Sequence, residues 1–416
     1  MTRNRHYCTG VQPNAPTSRF TPRALLAAFF APLLIALAPL QQAAIVVDKA
    51  VVAHTFGGQM IFILDAHANA DITGAALLTR IGDGARTDVV DADFAPGPMI
   101  EARVTRDLQA QPISPFAPVI YSWRLIDSAG RTLTTPEQTY VYEDNRFTWQ
   151  TAGRGAIVAH WYSGTLAFGQ AVADTGYQAL GRISRFIGAA PPARVDVYVY
   201  ATLNDLQSGL RLGGREWVGG HADPALGVVL VAASPNPGGI SGLDRDLPHE
   251  LAHVMIYQAV GPGYDKMPVW LDEGLAVNSE LQPQAQYALA LEGAAGRNAL
   301  MKLDTLCSSF GVDSGQALLA YGQSQSVVRY ILDRWGSRAV ADLLAAYRDG
   351  ATCEGGVQRV LNVTLPELQA DWQRDVLEAS PLSNFLRGLG PALLVFGLPA
   401  LVIATLIFVP KKKGRR

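Results

Sequence analysis

Apolar and polar positions change rhythm along this chain. From about residue 45 to residue 145 they form short strand-like runs separated by turns, among them residues 60–64, 119–125 and 138–142. Ser128-Ala129-Gly130 separates the second run from residues 131–135 and predicts a hairpin. The pattern predicts an all-β, sandwich-like domain of immunoglobulin size over residues 45–145. It contains no catalytic cluster and reads as a spacer or a recognition module. After Trp149 the period lengthens: Phe168, Val172, Leu180, Ile183 and Ile187 line one face of a helix over residues 166–187. Residues 194–200 then alternate as a strand. Residues 228–231 (Val-Val-Leu-Val) are a short apolar run between glycine- and proline-rich turns, which predicts a strand along whose edge a peptide would bind through its backbone. Residues 317–347 and 365–377 read as helices.

Leu247, Leu251, Val254 and Gln258 predict a further helix, with Asp246 as its N-cap, Pro248 in its first turn and Gly261-Pro262-Gly263 as its stop. Gly238-Gly239 reads as a loop and matches no phosphate-binding pattern. On this helix His249 and His253, four positions apart, project from one face and can hold one zinc ion, with Glu250 in reach of a water on it. With only seven histidines in the chain, His-Glu-x-x-His is an uncommon accident. Glu273, in Trp270-Leu271-Asp272-Glu273-Gly274-Leu275-Ala276, supplies a third ligand. Three protein ligands leave one tetrahedral position open, which is the arrangement of a catalytic zinc rather than a structural one. Zinc so held acidifies a water and polarises a carbonyl, which suits amide hydrolysis with Glu250 as the proton carrier.

Residues 270–276 resemble the Trp-Leu-x-Glu-Gly-x-Ala signature of gluzincin metallopeptidases, the group of thermolysin-like enzymes and zinc aminopeptidases. Tyr321-Gly322-Gln323-Ser324, through Tyr330-Ile331 and Trp335-Gly336, is similar to the Tyr-Gly-x-Ser helix that follows the glutamate helix in these domains. The nearest resemblance is to the peptidase MA-like domain, over roughly residues 150–375. It implies an α+β, thermolysin-like domain at residues 146–380, with zinc on His249, His253 and Glu273, Glu250 as general base, and a peptide or protein substrate. Tyr321 is then the candidate for stabilising the oxyanion, beside a plainer role as an aromatic packed on the core. His221 is a weaker site candidate, beside a role as a polar loop histidine. No counterpart of an exopeptidase amine-binding motif precedes the zinc helix, so aminopeptidase specificity is not implied. Val277 stands where these domains often carry a carboxylate supporting a zinc histidine, which leaves Asn278 or Glu280 for that task.

Residues 388–410 carry no charge and are long enough, at about 1.5 Å per residue, to span a hydrocarbon core of about 30 Å. They predict a transmembrane helix, and the basic tail at residues 411–416 stays on the cytoplasmic side. Residues 24–40 are apolar and follow Arg3, Arg5, Arg19 and Arg23, so residues 1–44 read as a signal sequence or an uncleaved anchor. Either way residues 45–385 face away from the cytoplasm, on a single-pass or two-pass protein of the cell membrane. Cys8 belongs to the targeting region, leaving Cys307 and Cys353 either as a disulfide, which an oxidising compartment permits, or as two buried thiols. The 416 residues, 49% hydrophobic and 17% charged, suffice for two soluble domains and membrane segments. A net charge of -2 gives no sign of nucleic-acid binding, and no motif sets an oligomeric state. Two other readings share these features. One is an inactive surface-binding or adhesion protein working through the β domain, against which the intact Glu250 speaks; the other is a zinc hydrolase of non-peptide amides.

Overall fold

A computed structural model describes residues 45–377 except 83, 85, 211–218, 283, 309, 311 and 312. The expected targeting segment at residues 1–44, the membrane span at 388–410 and the basic tail at 411–416 lie outside the described residues. Among the described residues no helix is long and apolar enough to cross a membrane.

Seven strands come first: β1 (Ile45–His54), β2 (Gln59–Ile81), β3 (Asp88–Asp91), β4 (Gly97–Asp107), β5 (Pro118–Asp127), β6 (Thr132–Thr134) and β7 (Gln138–Val141). They form one sheet rather than the two faces of a sandwich. The reason is β2, whose first half pairs with β1 and β4 and whose second half pairs with β3 and β5. A register shift between His67 and Ile72 marks the change of partner. Alternate residues of β2, such as Met60, Phe62 and Leu64, are buried with Trp123 and Leu125 of β5 in a core of their own. The expected hairpin between β5 and β6 is present, closed by Asp127, whose carboxylate accepts from the backbone of Ala129 and Arg131.

A second sheet follows, ordered β11-β12-β10-β9-β8. Its strands are β8 (Gln150–Arg154), β9 (Ile157–Trp161), β10 (Val195–Tyr200), β11 (Gly220–Asp223) and β12 (Val228–Ala232), with α1 (Leu166–Ile187) between β9 and β10 and α2 (Leu203–Leu210) after β10. The hairpin of β8 and β9 fills residues 150–161, ahead of the helix expected at 166–187, where the sequence pattern predicts no element. Strands this short, joined through Gly155 at φ 57°, offer too few alternations to be read from sequence. β10 is parallel to β9 and β12 and buried on both faces. Val195, Val197 and Val199 point into the main core with α1, while Tyr198 and Tyr200 face the other way. There Phe116, from the first sheet's side of the chain, stacks on Tyr198.

The remaining helices are α3 (Pro237–Val260), α4 (Val269–Ser279), α5 (Ala285–Gly296), α6 (Ser314–Arg348, interrupted at Gly336), α7 (Cys353–Leu361) and α8 (Leu365–Trp372). α3 starts ten residues before the expected N-cap: Asn236 caps it through the Gly239 amide, and Pro237 takes its first position. Asp246, read as the cap, is therefore inside the helix, and Gly238-Gly239 is its first turn rather than a loop. Gly239 is needed there because a Cβ would fall 2.0 Å from the Ser234 carbonyl oxygen. Gln258, expected on the apolar stripe, is exposed. Cys307 and Cys353 form a disulfide with α carbons 6.0 Å apart, tying the loop after α5 to the start of α7.

α4 lies between α3 and α6, and its contact with α6 depends on Gly274. A Cβ there would stand 2.6 Å from both the Ser324 carbonyl oxygen and Val328 Cγ2. Gly274→Ala is expected to force the helices apart, costing about 1–3 kcal/mol in chemical denaturation. Because Glu273 precedes it, the same variant should also lose bound metal; an unchanged midpoint and full metal content would contradict this packing.

Candidate metal centre and active site

α3 and α4 bring together the three residues expected to bind a metal. Donor atoms of His249, His253 and Glu273 all lie within 4.8 Å of one another. Glu273 Oε2 is 3.4 Å from His249 Nε2 and 3.8 Å from His253 Nε2. The opposite ring nitrogens are held from behind. His249 Nδ1 lies 3.1 Å from Glu280 Oε1, and His253 Nδ1 lies 3.1 Å from Asp272 Oδ1. A carboxylate accepts the Nδ1 proton, so each Nε2 carries its lone pair toward the point where the three donors converge. That orientation fits a divalent ion.

Two features hold the supporting carboxylates. Asp272 Oδ2 accepts a 2.8 Å hydrogen bond from the Tyr264 hydroxyl, so both of its oxygens are engaged. Glu280 sits just past the end of α4, on the same side of it as Glu273 and Val277 by helical phase. Its backbone is fixed through Pro248. A proline has no N–H for the carbonyl four residues earlier, and here the freed Asp244 carbonyl accepts the Leu281 amide at 3.0 Å. The proline that interrupts α3 one residue before His249 thus docks the end of α4 beside it. Of the two residues considered for supporting a histidine, Glu280 does so; Asn278 instead donates to the Gly274 and Gln325 carbonyls.

Burial pulls the His249 imidazole toward neutrality, but Glu273 and Glu280 outweigh it and hold its pKa well above the ordinary value. For His253 burial again opposes, and Asp272 followed by Glu273 raises the pKa to about 9. An ion entering this site displaces protons, so metal uptake weakens as pH falls. Glu250, only 8% exposed, has its pKa raised by burial; the two imidazoles oppose this, and Glu273 and Asp246 reinforce it. A carboxyl group moved toward neutral pH suits a base that must also return its proton.

These groups line a cavity of about 580 Å³, which also takes in His221, Tyr264, Tyr287 and Tyr321. Tyr321 stands with its ring 6.4 Å from that of His249, between Tyr287 and Phe310. His221 is on β11, and it is β11 that forms the edge of the sheet beside the site. The expectation that the strand at residues 228–231 offers this edge is corrected: β11 pairs antiparallel with β12 and covers it. Gly220 lets β11 run against Glu250, since a Cβ there would lie 2.7 Å from Glu250 Cγ.

Residues 175–378 match the family model described as the Peptidase MA superfamily. Over that span the chain belongs to the Peptidase MA superfamily. The gluzincin resemblance of the glutamate-helix and tyrosine-helix segments is in keeping with this, since both fall within the matched residues. Among solved structures the chain is similar to an M1 zinc metallopeptidase from Deinococcus radiodurans, at 14% identity over 80% of this chain and 94% of that one, with a TM-score of 0.35. It is also similar to an aminopeptidase N family protein from Idiomarina loihiensis, at 8% identity over 77% and 74% of the two chains, with a TM-score of 0.39. No curated protein matches the chain.

The sequence reading missed Asp272 and Tyr264. Asp272 was legible, because it adjoins Glu273 on a helix facing two histidines; Tyr264 comes from the short 3-10 turn Gly261–Lys266, which carries no periodic signal. Asp272→Asn and Glu280→Gln are each expected to weaken metal binding by about 10–100-fold in a chelator-competition titration, with secondary structure kept. Unaltered affinity in both variants would show that the rings are oriented by something else.

Proposed function

We infer that this protein is a zinc-dependent metallopeptidase anchored in a membrane, with its catalytic domain outside the cytoplasm. The observation that carries the peptidase reading is the convergence of two back-supported imidazoles and Glu273 beside a buried carboxyl group, Glu250, on the wall of a cavity bounded by a sheet edge. His249, His253 and Glu273 are the residues that would hold zinc, whose chemistry when bound is to polarise a carbonyl and acidify water. Glu250 takes a proton from the attacking water and returns it to the leaving amine. Tyr321 lines the same cavity, which supports its hydroxyl as the donor to the developing oxyanion. β11 supplies backbone N–H and C=O groups on which an extended peptide can be ordered next to Glu250.

Glu250→Gln tests this. The variant should keep about one zinc per chain and lose hydrolysis of casein or a peptide library by about 10²–10⁴-fold. Cleavage equal to that of the unaltered protein would remove Glu250 from the mechanism, and zinc binding without cleavage in either protein would remove the peptidase.

Location rests on separate support. The uncharged run at residues 388–410 with its basic tail, the apolar run at residues 24–40 and the Cys307–Cys353 disulfide all suit a chain exported to an oxidising compartment and held at its membrane. If so, the protein fractionates with membranes, and alkylation before lysis leaves Cys307 and Cys353 unlabelled until a reductant is added. A soluble cytoplasmic chain with both thiols labelled at once would contradict it.

A further inference from the structure

Arg245 is a cavity residue that the peptidase reading leaves without a task. It lies on α3 one helical turn before His249 and lines the same cavity. Its guanidinium is held side-on: Nε donates to Asp246 Oδ1 at 2.5 Å and Nη2 to Asp246 Oδ2 at 2.8 Å. Asp246 is itself confined. Its side chain is 16% exposed and backs onto Gly219, where a Cβ would fall 2.6 Å from Oδ2.

A guanidinium carries five N–H donors in a rigid planar fork. The side-on pairing uses the Nε hydrogen and one on Nη2. Among the described residues nothing accepts a hydrogen bond from Nη1. The end-on edge, made by Nη1 and the second hydrogen of Nη2, is therefore open on a side chain that is 40% exposed. Two parallel N–H groups match the two oxygens of a carboxylate, whereas a single carbonyl oxygen would leave part of the fork to water. With Asp246 fixing the fork beforehand, little side-chain freedom is lost on binding.

We propose that Arg245 is a specificity-determining residue that grips a carboxylate of the substrate, either an acidic side chain or the C-terminal carboxylate. The proposal rests on the peptidase reading for the nature of the substrate and adds which peptides the cavity prefers. Four residues of helix, at about 1.5 Å each, separate Arg245 from His249 along the axis. That is roughly two residues of extended peptide at about 3.3 Å each, so the recognised carboxylate lies within about two residues of the scissile bond. Asp246, and Glu280 nearby, offset the charge of Arg245. Recognition therefore depends on the fork, which lysine does not reproduce.

The test compares kcat/KM of the zinc-loaded full chain, Arg245→Met and Arg245→Lys on matched peptides. One series is amidated at the C-terminus and carries Glu or Gln at each of the two positions on either side of the cleaved bond; the other has neutral side chains and a free or amidated C-terminus. The unaltered protein should prefer one carboxylate peptide over its neutral partner by roughly tenfold or more. In Arg245→Met that ratio should fall to about one, and in Arg245→Lys, which keeps the charge beside Asp246, to a value in between. The series that shows the preference identifies the source of the carboxylate. A ratio unchanged by Arg245→Met, or no preference at any position, overturns the proposal. Binding of the same peptides to zinc-loaded Glu250→Gln, followed by fluorescence anisotropy, reads recognition without chemistry. Preferential binding of the carboxylate peptides with no cleavage by the unaltered chain keeps Arg245 in its role while the peptidase reading fails; cleavage without any binding preference does the reverse.

Discussion

An imidazole can serve a metal only if it is kept from turning, and this protein restrains two of them from behind. Glu280 and Asp272, both from the α4 segment, take the Nδ1 atoms of His249 and His253, while Glu273 of the same segment meets the Nε2 atoms in front. One short helix therefore sets the ring orientation, the tautomer and the third donor together. The position of α4 is in turn fixed at both ends of its contact surface. The Asp244 carbonyl left open by Pro248 holds the Leu281 amide, and Gly274 lets the helix touch α6. Both are backbone devices.

The sheet has a matching role. β10 and β12 are buried on both faces, so the sheet is a rigid slab on which α3 rests, and among the described residues the short β11 is its last strand on the side of the site. Gly219 and Gly220 bring that edge against Asp246 and Glu250, where any larger residue would push the carboxyl groups away. Burial of Glu250 under this edge is what raises its pKa above the ordinary carboxylate range. The same wall confines Asp246 and through it the fork of Arg245. Substrate edge, base and specificity residue are thus consequences of one close approach between β11 and α3.

The ligands were legible because each repeats a local rule: i and i+4 on a helix for the histidines, and a glutamate in a short distinctive segment for the third. The helix Leu166–Ile187 was legible to the residue from its 3.6-residue period. What escaped depends on contacts between distant segments. The start of α3 was misplaced because Asp246 and Pro248 look like a helix start, while the true cap, Asn236, precedes a Gly-Gly pair that reads as a turn. The hairpin of β8 and β9 is too short for its alternation to register. The sequence pattern of the seven-stranded sheet predicts a sandwich because single strands carry their own period and not their partners, and β2 has four partners among the described residues. Tyr264 and the Leu281 link to Asp244 have no sequence period at all.

X-ray absorption at the zinc edge of the loaded protein tests the central claim most directly. The account predicts a first shell of two imidazole nitrogens at about 2.0–2.1 Å and a carboxylate oxygen at about 2.0–2.2 Å, with one imidazole lost in His253→Ala and the oxygen lost in Glu273→Ala. A shell containing sulfur, or one that Glu273→Ala leaves unchanged, would contradict it.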